Sequence, residues 1–457
     1  MKGACPVDKL LAKALVIGNF EGKMNEMEVD KISNLPVDIV RRIFKYLPMR
    51  EVVQTSLLST NWRYKWLAAE ELIFDRRCFR SSQRDSDVKL ASFVNQVLLL
   101  HEGPISKFKI DNYLEKASSD VDRWLLVLSR KQLIHLVLTF RSGDYYKLPS
   151  SLFSLKHIKY LKLSLCLFST PLSFGGFSCL TALDLQQVHI TNETFQSIIC
   201  KSPLLQRLQL ISCYGLRHLS VTAPKLEWLF FHGDFDDLHF DVVSHLVEVT
   251  ISLCNLADGG ARGAVSRLEW YLRHLTNLKK LVFYNYFLKF LSTGIVPDKL
   301  SVSYCNLKYL RLHVNMEDSN QILAAFCLFR SSPNLEHIRI EAKPNKPLLL
   351  LDREGLWDAS STSNIGLTHV KVVEITGCVG LERELDFVRF FLIITPVLER
   401  MTIEMHKKAA TNDSEQLKWV KNMLRFRRAS SRAEGNDSRA TDWSSYSRSG
   451  CIYNFVK

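Results

Sequence analysis

The sequence predicts an α/β protein in which a small N-terminal block of helices precedes a long stack of short parallel strands and a closing C-terminal region. Between residues 35 and 66, apolar residues recur at the spacing of amphipathic helices. From residue 105 to residue 398, the pattern apolar-x-x-apolar-x-apolar recurs many times. Recurrence of one short pattern every 20 to 35 residues indicates a repeat array, in which each unit stacks on its neighbours.

The composition is that of an ordinary globular protein, with 47% hydrophobic and 23% charged residues over 457 positions. The 60 basic and 47 acidic residues give a net charge of +13, which raises the possibility of a nucleic-acid or acidic partner. Part of this surplus is local, because residues 401–457 hold 11 basic and 6 acidic side chains. A diffuse excess of this kind favours solubility, so we do not expect nucleic-acid binding.

The eleven cysteines contain no C-x-x-C pair, which argues against a disulfide framework or a zinc ribbon. Reduced thiols are typical of the cytosol and nucleus, where we expect this protein to reside. The sequence contains no run of about 18 apolar residues, so we expect no membrane-spanning helix. Residues 1–29 include the stretch LLAKALVIG, but Lys13 interrupts its apolar run, and we expect a loosely ordered leader rather than a signal peptide.

The helical block begins with a predicted helix whose apolar stripe includes Ile39, Ile43 and Leu47. Pro36 suits its first turn and Pro48 ends it. A second helix is predicted over residues 50–58 and a third over residues 59–69. Three short helices bury little apolar surface on their own, so such a block is expected to bind a partner through the surface that it cannot bury.

The repeated pattern predicts twelve strands at spacings of 20 to 35 residues. Its first positions are Ile105, Leu133, Ile158, Leu180, Leu205, Leu226, Leu246, Leu278, Leu307, Leu335, Val370 and Leu398. Most of these spacings fall near the 20–29 residues of leucine-rich repeats. The apolar side chains of each strand point into the stack, and the residues between them point to the concave face of an irregular, horseshoe-shaped solenoid. Residues 191–203 predict one returning helix, and an extra match at Leu216 predicts an irregular register there.

Cysteine or asparagine is expected three residues after the last apolar strand position of a repeat, where its side chain forms hydrogen bonds with the backbone of neighbouring loops. Cys166, Cys213, Cys254, Cys378 and Asn315 occupy this position. We therefore interpret these thiols as parts of the repeat rather than as a metal or redox site.

Residues 32–75, ISNLPVDIVRRIFKYLPMREVVQTSLLSTNWRYKWLAAEELIFD, resemble the F-box through their two Leu-Pro pairs and the closing Leu-Ser-x-x-Trp-Arg-x-x-Trp. The resemblance implies docking to a Skp-type adaptor that joins the chain to a cullin–RING ubiquitin ligase. The contacts that it implies are Leu35, Pro36, Ile39, Ile43, Leu47, Pro48, Val52, Leu58, Trp62 and Trp66. Alternatively, the two tryptophans only fill the core of the block, because aromatic side chains serve both cores and interfaces.

Residues 367–404 and the following MLRFRRASSRAE resemble the FBD region of plant F-box/leucine-rich-repeat proteins, in which V-K-x-V-E-I, P-x-L-E-x-M and R-A-S recur. Arg427 or Arg428 stands where that family usually has proline. The region predicts two more strands around a helix with Leu385, Val388, Phe391 and Leu392 on one face, and it is expected to cap the solenoid. The predicted organisation is a leader at 1–29, an F-box at 30–76, repeats at 77–345, an FBD region at 346–434 and a disordered tail at 435–457.

These resemblances imply a substrate-recognition subunit of an SCF-type ubiquitin ligase, in which the repeats hold a protein substrate. The alternative is a leucine-rich-repeat scaffold outside any ligase. Phosphate-binding, dinucleotide-binding and zinc-protease motifs are absent from the sequence, so we expect neither a catalytic site nor a cofactor or metal.

An aromatic and basic stripe is predicted on the face of the later repeats, and it suits a protein partner with acidic or phosphorylated groups. Its members are Trp228, Phe230, His232, Lys280, Tyr284, Tyr309, Arg311, His313, His337 and Arg339.

Overall fold

A computed structural model describes residues 35–75, 78, 86–114, 118–140, 145–255, 267–342, 365–406, 419, 421–423, 425–430 and 452–456. The predicted leader lies outside these residues. The chain divides into two compact units, Met1–Leu216 and Arg217–Lys457.

The described helices are short, and most of them lie between consecutive strands. They are α1 (Val37–Phe44), α2 (Met49–Gln54), α3 (Ser86–Leu100), α4 (Ser118–Ser129), α5 (Asn192–Cys200), α6 (Arg267–Leu272), α7 (Phe287–Leu291), α8 (Ser319–Arg330) and α9 (Glu382–Ile394). Turns of 3-10 helix occupy Thr55–Leu57, Thr60–Trp62, Lys65–Ala68 and Ser150–Ser154.

The strands of the first unit form one parallel sheet in the order β1-β2-β3-β5-β7-β8, beside a small β4–β6 pair. They are β1 (Glu71–Phe74), β2 (Lys107–Leu114), β3 (His135–Phe140), β4 (Tyr146–Lys147), β5 (Tyr160–Ser164), β6 (Cys166–Leu167), β7 (Ala182–Gln186) and β8 (Arg207–Ile211).

In the second unit, consecutive strands also pair in parallel, in the order β10-β12-β13-β14-β15-β16-β17. Strand β18 pairs with β17 in the antiparallel direction. Its strands are β9 (His218–Val221), β10 (Trp228–Gly233), β11 (Asp237–Phe240), β12 (Glu248–Leu253), β13 (Lys280–Asn285), β14 (Tyr309–Val314), β15 (His337–Ala342), β16 (Val372–Cys378), β17 (Arg400–Met405) and β18 (Ile452–Val456).

The twelve predicted repeat strands are confirmed. Each begins two residues after the first apolar position of its pattern, as Arg207 follows Leu205 and Tyr309 follows Leu307. The twelve first positions are at most 1% exposed. Three apolar side chains per repeat therefore point inward, and the alternating residues face outward, as the two-residue period of a strand requires.

A left-handed residue recurs at or directly after the ends of strands in both units. Leu165, Gln187, Ser212 and Asn285 all have φ between 49° and 58°. The turn lets the backbone N–H of Leu165 reach the carbonyl of Gln186 at 3.0 Å in the next repeat. Side chains other than glycine or asparagine lose roughly 1–2 kcal/mol in this conformation, so the cross-repeat hydrogen bond offsets a real local cost.

The cysteine positions behave as predicted only in part. Cys166 and Cys378 are buried, and Cys213 Sγ lies 3.5 Å from the carbonyl of Leu185 in the preceding repeat. Burial raises the pKa of the Cys213 thiol to about 12, so it stays protonated and can donate. Asn315 instead bonds within its own loop, accepting from the backbone N–H of Glu317 at 3.1 Å.

Two predictions need correction, and a third is confirmed. The third helix of the N-terminal block is replaced by two 3-10 turns, because Ser, Thr, Asn, Trp and Tyr are all poor helix formers. The irregularity predicted at Leu216 is confirmed, since this match forms β9, which pairs with β11 outside the main ladder. The predicted disordered tail contains β18, whose sequence IYNFV has the β-branched and aromatic residues that strands favour.

The predicted helix between the last two repeat strands is confirmed as α9, and a buried carboxylate fixes its start. Glu384 is 1% exposed and accepts hydrogen bonds from the backbone N–H groups of Val379, Gly380 and Leu381. Burial raises the pKa of Glu384, although these hydrogen bonds act to lower it. One side chain thus satisfies three N–H groups at a helix start, which would otherwise lack partners.

We expect Glu384→Ala to lower the free energy of unfolding by about 3 kcal/mol, because it removes three charge-assisted hydrogen bonds and leaves a gap where the buried side chain was. Chemical denaturation followed by circular dichroism measures this loss. Glu382→Ala is the matched control, since Glu382 is an exposed carboxylate on the same helix. Equal losses in the two variants would contradict the role assigned to Glu384.

Candidate adaptor and substrate surfaces

Helix α1 carries apolar residues on two sides, and only one of them faces the core of the N-terminal block. Val40 and Phe44 are buried, and the Phe44 ring meets Trp62 edge to face with centroids 6.1 Å apart. Ile39 and Ile43, one position earlier in the same spacing, are 40% and 37% exposed. The periodicity that predicted the helix could not distinguish these two sides.

The predicted adaptor contacts divide into two groups. Pro48, Val52, Trp62 and Trp66 are buried by this chain, so a partner would reach them only if covering residues moved. Both tryptophans therefore lie in the core of the block, and whether they also contact a partner stays a prediction. Pro36, Ile39, Ile43 and Leu58 are exposed, while Leu35 and Leu47 are half-buried. Their role as contacts stays a prediction.

Sequence reasoning missed four further exposed side chains on this block. Val37 is 51% exposed, Tyr46 84%, Leu57 42% and Tyr64 59%. The adjacent Leu57 and Leu58 were a usable signal, since two neighbouring leucines in a short helical segment cannot both face the same core. Exposed large apolar residues concentrated on so small a block form a candidate interaction surface. We call these four residues, with Pro36, Ile39, Ile43 and Leu58, the docking surface.

Ionic contacts hold the N-terminal block against the first strands. The Glu71 carboxylate on β1 lies 3.1 Å from Lys45 Nζ, just after α1, and 3.4 Å from Lys107 Nζ on β2. Burial alone raises the pKa of Glu71, but hydrogen bonds from the two lysines lower it overall. The buried His101 contributes a hydrogen bond of 2.8 Å between its Nε2 and the carbonyl of Ala69.

On the second unit, the ten predicted substrate residues fall into three rows that cross the outward side of the sheet. The register pairs Trp228 with Glu248, then Lys280, Tyr309 and His337. A second row contains Phe230, Arg311 and Arg339. In a third, the register leads from His232 through Ser252 to Tyr284, whose ring centroid lies 4.7 Å from that of His313. Nine of the ten are half-buried, and His313 is only 6% exposed. We call these rows the outer face.

Aromatic stacking orders the outer face. The rings of Trp228 and Phe230 stack with centroids 6.1 Å apart. The Arg311 guanidinium lies 4.6 Å from the centroid of Tyr284. Cation–π contacts of this kind hold a long side chain flat and restrict its rotamers. Trp228, Phe230 and Tyr284 thus present fixed apolar surfaces beside charged groups.

The predicted basic character of the outer face is wrong in its balance, because carboxylates pair with the cations. Arg311 lies 2.7 Å from Glu341, Arg339 lies 3.1 Å from Glu374, and Lys280 lies 3.5 Å from Glu248. The strand alternation gave a signal for these glutamates, since Glu341 is two residues beyond Arg339 on β15. The face is one of ion pairs and aromatic rings rather than a stripe of uncompensated positive charge.

Direct opposition of like charges explains why these glutamates are needed. The register sets Arg311 opposite Arg339, and such a pair is destabilising by itself. Glu374 lies opposite Arg339 on the next strand, so each arginine has a carboxylate partner. His313 Nδ1 accepts from the backbone N–H of Asn285, which leaves its Nε2 as the donor 2.8 Å from Glu341. That N–H is poorly aligned with the carboxylate, so the contact is mainly electrostatic.

Within the described part of the chain, we find no cluster of three or more His, Cys, Asp or Glu side chains arranged to hold a metal ion. Likewise, none of the described helices has the length and apolar character needed to cross a membrane.

Comparison with known proteins identifies three consecutive regions. An F-box domain model matches residues 32–69, and an FBD model matches residues 367–403. Between them, a model described as "FBD-associated F-box protein At5g56370, LRR repeats" matches residues 121–340.

Three relatives carry the same combination in their descriptions. The F-box/FBD/LRR-repeat protein At1g13570 of Arabidopsis thaliana is 35% identical over 412 residues, which are 89% of this chain and 97% of that protein. The F-box/FBD/LRR-repeat protein At1g51370 of the same plant is 24% identical over 84% of this chain and 91% of its own. A third, At5g56420, is 29% identical over 44% of this chain and 49% of its own.

The ion-pair network predicts a specific acid sensitivity of the second unit. Contact with His313 and the hydrogen bond from Arg311 lower the pKa of Glu341 to about 2, against burial, which acts to raise it. A carboxylate with a lowered pKa stabilises the fold above its unfolded pKa of about 4.3, and this stabilisation is lost as the pH falls through the folded value. We therefore expect the stability difference between the wild type and Glu341→Gln to be constant above pH 6 and to shrink from about pH 4.5 downward.

Denaturant midpoints of the two proteins, measured from pH 7 to pH 3, test this. Glu336→Gln serves as the comparison, because the Lys308–Glu336 pair of the same repeat is open to solvent, with side chains 49% and 44% exposed. Its hydrogen bond from Lys308 also lowers the pKa of Glu336, but solvent screens the pair, so we expect a smaller change with pH than for Glu341→Gln. A difference between wild type and Glu341→Gln that does not change with pH would show that the carboxylate charge contributes nothing.

Proposed function

Because the chain belongs to the F-box/FBD/LRR-repeat family, we propose that it is the substrate-recognition subunit of an SCF-type ubiquitin ligase. F-box domains generally bind Skp-type adaptors, and leucine-rich repeats generally bind substrates. In this proposal the docking surface binds the Skp-type adaptor, which connects the chain to a cullin–RING ligase. The outer face of the second unit binds a protein substrate.

The exposed apolar side of α1 is the observation that carries the adaptor assignment. Ile39 and Ile43 project from a helix whose other apolar side is already covered by the core. A helix with unburied isoleucines beside Leu58, Tyr46 and Tyr64 has the composition of an interface centre, where apolar and aromatic anchors supply most of the binding energy. Burial of these side chains by a partner would stabilise a block that is too small to cover them itself.

The N-terminal block is attached to the first strands by ion pairs, which suits a subunit that holds its substrate at a fixed place relative to the ligase. Glu71 joins α1 to β1 and β2 through Lys45 and Lys107, and Arg41 lies 3.5 Å from Glu70. These contacts limit rotation of the docking surface relative to the sheet that follows it. In this proposal the chemistry of ubiquitin transfer occurs on other subunits, and this chain contributes proximity and orientation.

The outer face suits a protein segment with mixed charge and apolar anchors. Trp228, Phe230 and Tyr284 offer flat rings, while the Arg311–Glu341 and Arg339–Glu374 pairs offer both donors and acceptors. Since the charges are balanced, orientation and specificity come from matched hydrogen bonds rather than from attraction of any acidic surface. We place the complex in the nucleus or cytoplasm.

The adaptor assignment predicts that Ile43→Asp weakens binding of a purified Skp-type adaptor by about 30-fold or more, which corresponds to loss of an interface hot spot of about 2 kcal/mol. Isothermal titration calorimetry of the full chain measures the change. The charge is introduced at an exposed position, so the fold should be retained, and circular dichroism verifies this.

Ile393→Asp is the matched control, because Ile393 is a 47% exposed isoleucine on α9 of the second unit. It should bind the adaptor as the wild type does. Equal affinity of Ile43→Asp and Ile393→Asp would refute the docking surface and leave a repeat scaffold outside any ligase.

For the outer face, we expect Trp228→Ala combined with Arg311→Ala to remove most proteins that the chain captures in cells. Proximity labelling in an Ile43→Asp background retains bound targets without coupling them to degradation. Trp270→Ala with Arg273→Ala is the control, because this second Trp–Arg pair lies on and just after α6, with the guanidinium 4.1 Å from the ring. A labelling profile unchanged by the outer-face variant would show that the substrate binds elsewhere.

A further inference from the structure

Strand β17 (Arg400–Met405) ends the ladder of parallel strands in the second unit, and β18 (Ile452–Val456) covers its outer edge. β18 pairs with β17 in the antiparallel direction, whereas the strands of the ladder from β10 to β17 pair in parallel. An edge strand presents a row of backbone N–H and C=O groups that can pair with another extended segment. Without β18, β17 would present such a row to other chains.

No tight turn fixes β18 on this edge. Antiparallel neighbours in a hairpin are joined by about two to five residues, which hold the second strand beside the first. Here residues 406–451 lie between the two strands in the chain. With a connection of this length, pairing within one chain depends on effective concentration, so a segment of another molecule can compete for the same edge.

The backbone groups on this edge belong to alternate residues of β17. The N–H of Arg400 donates to the carbonyl of Lys371, the residue before β16, at 3.0 Å. Successive residues of a strand direct their backbone groups to opposite neighbours, so Thr402 faces β16 as Arg400 does. Met401 and Ile403 therefore direct their N–H and C=O groups to the outer edge, where β18 lies.

The sequence of β17 is complementary to itself in the antiparallel direction. A two-fold axis through Thr402 sets Arg400 opposite Glu404 of a second copy, and Met401 opposite Ile403, on both sides of the axis. Opposite charges and apolar side chains in directly opposed positions stabilise antiparallel strands. Both Met401 and Ile403 direct their backbone groups to the edge, so they form the hydrogen-bonded pairs that this register requires. The pairing spans the five residues of β17 that β18 covers.

The two sides of the sheet match in the same pairing. Met401 and Ile403 are fully buried on the inward side of β17, and Arg400 and Glu404 lie on its outward side. Because side chains alternate along a strand, the self-pairing joins inward residues to inward residues and charged residues to charged residues. A second copy therefore continues both sides of the sheet.

β18 does not reproduce this complementarity. The register sets Val456 opposite Arg400 and Ile452 opposite Glu404, and none of the five residues of β18 is charged. Arg400 also lies 3.9 Å from Glu374 of β16, a distance beyond that of a hydrogen bond, and its side chain is 50% exposed. Its guanidinium therefore keeps donors for a carboxylate across the edge. Pairing with β18 is favoured by effective concentration, and pairing with a second copy is favoured by two ion pairs.

We propose that the outer edge of β17 is a self-association site, at which two copies of this chain pair through antiparallel β17 strands, and that β18 of the same chain covers this site. The interface is isologous, since each copy contributes the same surface. The covered and the paired states exclude each other, because β18 and the second copy need the same backbone groups. The C-terminal strand thus controls whether the chain is single or paired. This role is independent of the proposed ligase function.

A second copy could instead add to the outer edge of β18 while β18 stays in place. That edge belongs to a strand without charged side chains, so no ion pair fixes its register. β17 offers opposite charges at both ends of its self-pairing, which favours the β17 interface. The two interfaces predict opposite effects when β18 is displaced.

Sedimentation velocity of the full chain with β18 displaced tests the proposal. Phe455 is opposite Met401, so Phe455→Pro removes an N–H that faces β17. We expect the wild type to be monomeric and Phe455→Pro to dimerise with a dissociation constant at least about 10-fold lower. Asn454→Pro is the matched control, because Asn454 is opposite Thr402 and its N–H faces away from β17, where an edge strand tolerates proline. It should remain monomeric.

Charge variants in the Phe455→Pro background test the register. Arg400→Glu or Glu404→Arg alone sets like charges opposite each other at both ends, so each should weaken dimerisation by at least about 10-fold. An equimolar mixture of the two variants restores opposite charges at both ends and should form a heterodimer about as tightly as Phe455→Pro alone. Lys371→Glu, an exposed charge reversal before β16, should leave dimerisation unchanged.

Deletion of residues 451–457 is a second way to uncover the edge and should act as Phe455→Pro does. A synthetic peptide of residues 448–457 should return either protein to the monomer. Monomers in both variants, or dimers in Asn454→Pro that are as tight as in Phe455→Pro, would overturn the site. A wild-type dimer that is lost in Phe455→Pro would indicate the edge of β18 instead. A mixture of the charge variants that associates no more tightly than either alone would overturn the two-fold register.

Discussion

Parallel backbone pairing between consecutive repeat strands is the constraint on which the rest of each unit depends. Between β12 and β13, six consecutive residues pair without a shift, from Glu248 with Lys280 to Leu253 with Asn285. Each strand has only its neighbours to satisfy its N–H and C=O groups, so a slip of one residue would turn every inward leucine to solvent. The fixed register also sets every outward side chain beside a known neighbour about 4.8 Å away. Rows of functional residues are therefore a consequence of the same pairing that builds the core.

This dependence explains which parts of the structure were predictable. The inward positions need only to be apolar and alternating, so a pattern in one repeat sufficed to place strands such as β8 and β14 within their observed bounds. Helix α5 was predictable because Thr191 caps it locally, with its side chain 3.2 Å from the backbone N–H of Thr194. The strand at Ile452–Val456 was not, because its partner β17 lies about fifty residues earlier and no local signal links them. Features set by neighbouring residues, such as alternation and helix caps, could be predicted from the sequence, whereas pairing between distant segments could not.

The sites show the same division between local and cross-strand information. Alternation placed Arg311 and Arg339 on the correct side of the sheet, but only the register shows that they oppose each other and need Glu341 and Glu374. In the N-terminal block, the spacing of apolar residues predicted a helix and left open which side is buried. Phe44 and Trp62 occupy the core there, and Ile39 and Ile43 remain outside because so few residues cannot enclose every apolar side chain.

The strand register of each unit decides how neighbouring cations are balanced. On the second unit, Arg311 and Arg339 are adjacent, and carboxylates on β15 and β16 neutralise them within the face. On the first unit, Val137 separates Lys109 from Lys162, so mutual repulsion is weaker, and each lysine has its own carboxylate, Asp111 at 2.9 Å and Asp184 at 3.2 Å. A compensated face selects partners by the geometry of hydrogen bonds and rings rather than by net charge. The register thus decides which cations lie side by side and where their carboxylate partners are needed.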